Sequence, residues 1–122
     1  MENDFSREIV DAAFKVHTTL GPGLMEHVYQ SCLQHEIQKK GLDVKNEVFL
    51  PVIYDHKIFD IGYRLDLLVE SEVIIELKSV SHILPVHKAQ LLTYLKLAKK
   101  NLGFLINFNT NLIKDGIVRV VN

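Results

Sequence analysis

The chain is short of several things, and each shortage narrows the possibilities. Among its 122 residues there is one cysteine, Cys32. A lone thiol excludes an internal disulfide and a multi-cysteine zinc site, and it fits a reducing compartment. No stretch approaches the roughly 20 apolar residues that a membrane helix needs. The start, "MENDFSREIV", is acidic and polar, unlike a signal peptide, so a cytoplasmic location and no membrane association are expected. Charge of one sign is also missing: the formal net charge is −1, which argues against a general polyanion-binding coat while leaving room for a local basic patch. Repeats, low-complexity tracts and linkers are absent. The length suits one domain, residues 1–122, with a single core.

What is present alternates between two periodicities. Ile9, Ala13, Val16 and Leu20, with Val10 and Phe14 beside them, form a helical stripe from about Ser6 to Leu20, stopped by Gly21 and Pro22. A second helix is expected from about Leu24 to Lys40, with Val28, Tyr29, Cys32, Leu33 and Ile37 inward and Gly41 as terminator. Three strand-like runs follow, Val44 to Tyr54, Ile58 to Val69 and Val73 to Val80, separated by the short polar breaks "DHK" and "ESE" that suit hairpins. Pro51 inside the first run predicts an edge position or a bulge. Pro85 opens a third helix from about Val86 to Lys100, and "GFLINF" and "GIVRVV" return to strand. The order ααβββαββ predicts a sheet packed with helices, an α/β or α+β sandwich.

Within this pattern "VIIELKSV" is unusual, because Glu76 and Lys78 interrupt a run that otherwise has the composition of a buried strand. Alternation places both on one face, roughly 6.6 Å apart along the strand at about 3.3 Å per residue. Asp66 lies in the preceding apolar run, "YRLDLLV", where a carboxylate is costly to bury without a cation, a metal or good hydrogen bonds. A hairpin turning near Ser71 brings Asp66 opposite residue 76, within one or two positions. Two carboxylates so close repel unless a divalent cation lies between them, and an oxygen-rich pair suits Mg²⁺ or Mn²⁺, with the Leu77 carbonyl and water completing the shell. Lys78 could then orient or deprotonate a water, or stabilise charge on a phosphate oxygen. Against this stands the plain alternative of a solvated ion pair on a strand face.

Asp66 followed by Glu76-Leu77-Lys78 resembles the core of the PD-(D/E)XK nucleases, and "LGPGLMEHVYQSCL" carries Gly23, Glu26 and Tyr29 in the pattern of the GxxExxY family of that superfamily. The resemblance covers nearly the whole chain. It implies a restriction-endonuclease-like core, a mixed β-sheet flanked by helices, and a divalent-metal-dependent nuclease acting on DNA ahead of RNA. The wider superfamily, especially its RecB-like branch, implies convergence of Glu26, Asp66, Glu76, Lys78, Gln90 and Tyr94 on one metal. Leu65 stands where that pattern has a proline, a tolerated departure. Asp66, Glu76, Glu26 and the Leu77 carbonyl would be metal ligands, Lys78 would assist catalysis, and Gln90, Tyr94 and Tyr29 would contact substrate. A catalytically silent module of the same fold, binding nucleic acid or protein, is the competing expectation.

These residues also have physical readings of their own. Glu26 and Tyr29 share a helix face, and Gly23 lets that helix end approach another backbone. Glu26 could equally complement the helix dipole. Gln90 and Tyr94, four apart on the third helix, could reach one phosphate or base together, or form an ordinary surface pair. His17, His82 and His87 lack the spacing of a zinc site and are expected to be satisfied or solvated side chains. Lys88, Lys96, Lys99 and Lys100 give the third helix a basic character that could follow phosphates or simply face water. Cutting both strands of a duplex requires two sites, for which a twofold homodimer is the simplest solution.

Overall fold

The structure is a computed structural model that describes residues 4–122. Helices α1 (Ser6–Leu20) and α2 (Glu26–Lys39) precede strands β1 (Val44–Tyr54), β2 (Lys57–Val69) and β3 (Val73–Lys78). Helix α3 (Pro85–Ala98), β4 (Leu102–Asn107), a 3₁₀ turn (Ile113–Gly116) and β5 (Ile117–Val121) complete the chain. The expected order holds, with the 3₁₀ turn as an addition. The sheet runs β1-β2-β3-β4-β5 in space. Its one parallel pair, β3 with β4, is joined by α3 as crossover, and the other neighbours are antiparallel. This is the mixed α/β sheet flanked by helices that the sequence predicts.

Two apolar cores cover the two faces of the sheet. On one face α1 and α2 supply Ile9, Ala13, Val16, Tyr29, Leu33 and Ile37 against Leu67, Ile75 and Phe104. On the other, Leu91, Tyr94 and Leu95 of α3 pack on Leu50, Leu65, Ile74 and Leu105. β3 and β4 are sandwiched between the two, which is why Ile74, Ile75, Leu105 and Ile106 are all buried. The helical stripes are narrower than periodicity suggests: Phe14 and Leu20 on α1 and Val28 on α2 are about two-fifths exposed. Helix α2 begins at Glu26, two residues later than expected, because Gly21 and Gly23 hold positive φ (72° and 100°) and keep the preceding loop out of the helix.

The β1–β2 hairpin carries three departures from regular pairing. Its tip is a two-residue turn, Asp55 and His56 with φ 56° and 60°, the mirror-image geometry that matches strand twist. Farther down, Pro51 pairs with Gly62 but Val52 pairs with Phe59, so Asp60 and Ile61 are two extra residues in β2. Pro51 therefore sits both on an edge strand and beside a bulge, as a strand proline must. The third departure is an inversion of the pleat. Val44 packs with the α1/α2 core while Val48 and Leu50 pack with α3; in β2, Leu67 and Val69 face α1/α2 while Leu65 faces α3. Residues an even number apart should share a face. The switch falls at Glu47, whose φ of 52° is sparsely populated for a side chain other than glycine, and at Asp66 opposite it.

Candidate active site

The ladder between β2 and β3 pairs Val69 with Val73, Leu68 with Ile74 and Leu67 with Ile75, and stops there. The next positions in the same register are Asp66 and Glu76, as the hairpin turn predicts. Their backbones do not pair. Instead the Asp66 N–H donates to Glu76 Oε2 at 2.9 Å, and the Leu77 N–H donates to Asp66 Oδ2 at 2.8 Å. Each carboxylate takes the place of a missing carbonyl, so the strands part while their N–H groups remain satisfied. The N–H and C=O of a strand residue project to the same edge, so the Leu77 carbonyl also points toward this gap.

The electrostatics follow from burial without a counter-charge. Glu76 is 9% exposed. Burial pushes its carboxyl up to about 8, the Asp66 charge adds to the rise, and the Asp66 N–H and Lys78 offset only part of it. Asp66 is raised as well, by burial first, with the charges of Glu26 and Glu47 adding and the Leu77 N–H and Lys78 opposing. Lys78 is half-buried and, among the described residues, makes no salt bridge. Its charge acts on both acids without the contact ion pair that the plain alternative supposes. Tyr94 is buried on α3, and its phenol is pushed up to about 12 by burial and then by Glu76, Tyr63 and Asp66. It therefore stands in the field of both acids. Gln90, one turn earlier, is half-buried and, among the described residues, forms no side-chain hydrogen bond.

Glu26 approaches from the start of α2. Its Oε2 accepts the Ser79 N–H at 3.2 Å, and the Ser79 hydroxyl donates to the Leu24 carbonyl at 2.9 Å, pinning the helix start to the end of β3. Glu26 thus adds its charge near Asp66 without joining a preformed cluster. Among the described residues no three His, Cys, Asp or Glu side chains are gathered as a metal centre. A buried and a half-buried carboxylate without a contact counter-charge, beside a carbonyl, nevertheless fit a divalent cation, because hard cations favour oxygen donors and supply the missing positive charge.

Tyr29 requires a correction. It is fully buried, so it has no surface to offer a substrate. Its hydroxyl donates to the Gly21 carbonyl at 2.6 Å and accepts the Leu24 N–H at 3.0 Å, and its ring stacks on Phe108 at 4.5 Å. Tyr29 shapes the loop from Gly21 to Met25 that delivers Glu26. Tyr29→Phe keeps the stack but removes two part-buried hydrogen bonds, and is expected to cost roughly 1–3 kcal/mol in all. Thermal melting with parallel divalent-cation titration checks this; a variant as stable as wild type would show that the hydroxyl does not hold the loop.

Two residues near the acids escape sequence reasoning. Glu47 lies opposite Asp66 in the β1–β2 register and raises the carboxyls of both Asp66 and Glu76. Its Oε2 accepts a hydrogen bond from Gln30 Nε2 at 2.8 Å, and Gln30 is buried one turn beyond Glu26 on α2. In sequence Glu47 looks like a solvated residue among "VKNEV", and nothing in a glutamate's identity announces a positive φ. Counting back the β1–β2 register from the "DHK" turn, allowing for the bulge, is the only route to it.

The histidines behave as ordinary side chains. His17 Nε2 lies 2.7 Å from the Thr110 carbonyl, to which it donates as the Nε2–H tautomer, and His87 Nδ1 accepts the Leu84 N–H at the start of α3. Lys99 and Lys100 line a concavity with Glu72 and Val73, at the opposite end of β3 from Lys78.

A family model for the PD-(D/E)XK nuclease superfamily matches residues 3–120. No significant match exists among curated proteins or among solved structures. The family match spans almost every residue, the parted strands with Asp66, Glu76 and Lys78 included. The chain belongs to the PD-(D/E)XK nuclease superfamily.

Proposed function

We propose that this protein is a single-domain, divalent-metal-dependent nuclease of the GxxExxY branch, hydrolysing phosphodiester bonds of DNA (or RNA). The observation that carries the proposal is the gap between β2 and β3, where the buried Glu76 and the half-buried Asp66 are raised together with no cation among the described residues in contact. Asp66, Glu76 and the Leu77 carbonyl would hold Mg²⁺ or Mn²⁺. When bound, such an ion lowers the pKa of water and offsets charge on the phosphate. Glu26, held by the Ser79 N–H, would contribute through water rather than directly. Lys78 supplies a positive charge beside the acids, free of a contact ion pair, to orient the attacking water and stabilise charge developing on phosphate oxygens. Tyr94 and Gln90 would position the substrate from α3.

The motif letters support the branch assignment as parts of one device. Gly23 allows the loop its positive φ, Tyr29 fixes that loop, and Glu26 is thereby presented to the end of β3. No helix among the described residues is long and apolar enough to cross a membrane. A cytoplasmic setting agrees with the lone, half-buried Cys32. A twofold dimer would carry two such sites, one on each protomer.

Calorimetric titration with Mn²⁺, followed by incubation with end-labelled DNA and RNA, tests the proposal. Saturable binding and metal-dependent cleavage are expected, with EDTA abolishing cleavage. No binding at millimolar Mn²⁺ would overturn it. Light scattering tests assembly: a 14.0 kDa species alone at high micromolar concentration rules out the dimer.

A further inference from the structure

Tyr63 lies on β2 three residues before Asp66, about 10 Å along the strand. It is half exposed, and its ring rests against Tyr94 at 5.0 Å with 43° between the planes. Tyr94 in turn stands in the field of Glu76 and Asp66. One side of the Tyr63 ring is therefore backed by the site, and the rest is open to solvent.

Beside it the hairpin forms a concavity of about 250 Å³ lined by Val52, Ile61, Gly62 and Tyr63. The bulge creates this space, since the two extra residues Asp60 and Ile61 leave the ladder here. Gly62 is required at its floor because a Cβ there would overlap the Leu50 carbonyl. An open aromatic ring, apolar walls and a position about 10 Å along β2 from Asp66 suit a flat, hydrophobic, polarisable group flanking the phosphate being cut. A paired base cannot offer such a face, because its neighbours already cover it; an unpaired base can.

We propose that Tyr63 and this concavity receive an unpaired nucleobase flanking the scissile phosphate, so that the preferred substrate is single-stranded nucleic acid or an unpaired end. The inference rests on the nuclease reading above and adds a substrate class to it. Continuity with the acids through Tyr94 favours a base over a protein side chain as occupant. The apolar residues Ile53, Tyr54 and Ile58 lie farther out on the arm, around the tip turn, and are not needed for it.

The test compares wild type with Tyr63→Ala, Tyr63→Leu, Tyr63→Phe and Tyr63→Trp, using one labelled oligonucleotide single-stranded and annealed to its complement, with Ca²⁺ present. Tyr63→Ala and Tyr63→Leu are expected to weaken single-strand binding by about 10- to 100-fold, the range for losing one base–aromatic stack. Tyr63→Phe and Tyr63→Trp should retain it, and duplex binding should change far less. Melting temperature and Mn²⁺ affinity should be unaltered throughout. Equal losses on both substrates, no loss, or full binding by Tyr63→Leu overturns the base-stacking subsite. A change of oligomeric state in Tyr63→Ala would reassign the surface to a subunit interface. Failure of wild type to bind either oligonucleotide would bring down the nuclease reading itself, and the subsite with it. Wild-type binding that Tyr63→Ala leaves intact brings down the subsite alone.

Discussion

Metal-free Glu76→Gln is expected to melt at a higher temperature than wild type at neutral and alkaline pH, while losing cleavage and the stabilising response to divalent cation. In the folded protein the Glu76 carboxyl titrates at about 8 instead of 4.5. A folded-state value above the unfolded one means that the group's stabilising contribution is complete below about 4.5 and is lost as pH rises through about 8. The gap between those values corresponds to at most about 5 kcal/mol. A neutral amide resembles the protonated acid and can still accept the Asp66 N–H, so the variant should escape most of this loss. Wild type without metal should therefore grow more stable as pH falls from about 8 toward 4.5, a trend that Glu76→Gln flattens. Metal affinity should move the opposite way, weakening as protons compete for the carboxylates. Cleavage should fall by about three orders of magnitude, the scale of losing several kcal/mol of charge stabilisation. Thermal melts across pH, with and without Mn²⁺, decide the matter. If Glu76→Gln instead loses roughly 3–5 kcal/mol in metal-free buffer, the carboxylate is a structural partner of a buried ion pair and the assignment is wrong.

Lys78→Met should separate chemistry from binding. The substitution keeps most of the apolar stem and deletes the charge. Because Lys78 is half-buried without a contact ion pair among the described residues, there is no salt bridge to lose, and melting should change little. The oxygen donors remain in place, so Mn²⁺ affinity should stay near the wild-type value or tighten slightly once a neighbouring positive charge is gone. Single-turnover cleavage should nevertheless drop by about 100-fold or more, as expected of a group that acts mainly in the transition state. An unchanged rate would remove Lys78 from the mechanism. A large fall in melting temperature with a proportionate loss of rate would make it a stabilising residue instead.

The parts of this site that sequence reasoning reached share a physical reason. A short turn and a period of two leave little freedom, so "ESE" alone places Asp66 beside Glu76. Pro51 cannot donate to a ladder, which restricts it to the edge and bulge where it is found. Helix faces were less legible: Phe14, Leu20 and Val28 fit the spacing, yet each lies at the margin of the packed stripe and stays about two-fifths exposed. The helical pattern places Tyr29 inward, but its role in holding the loop was not legible, because that role depends on Phe108, which lies 79 positions later and arrives only through the tertiary fold. Glu47 and Gln30 meet across 17 positions, and neither residue type advertises the other.

The inverted pleat at Glu47 and Asp66 divides the hairpin into a root and a tip that can be exchanged separately. Below the inversion both strands are anchored in the α1/α2 core and fix the acids; above it they lean on α3 and on each other. A slip of register in the tip would be taken up at the bulge before it reached the carboxylates. Segments of other length and sequence could therefore be grafted between Pro51 and Gly62, altering the surface the arm presents while leaving Asp66 and Glu76 where they are.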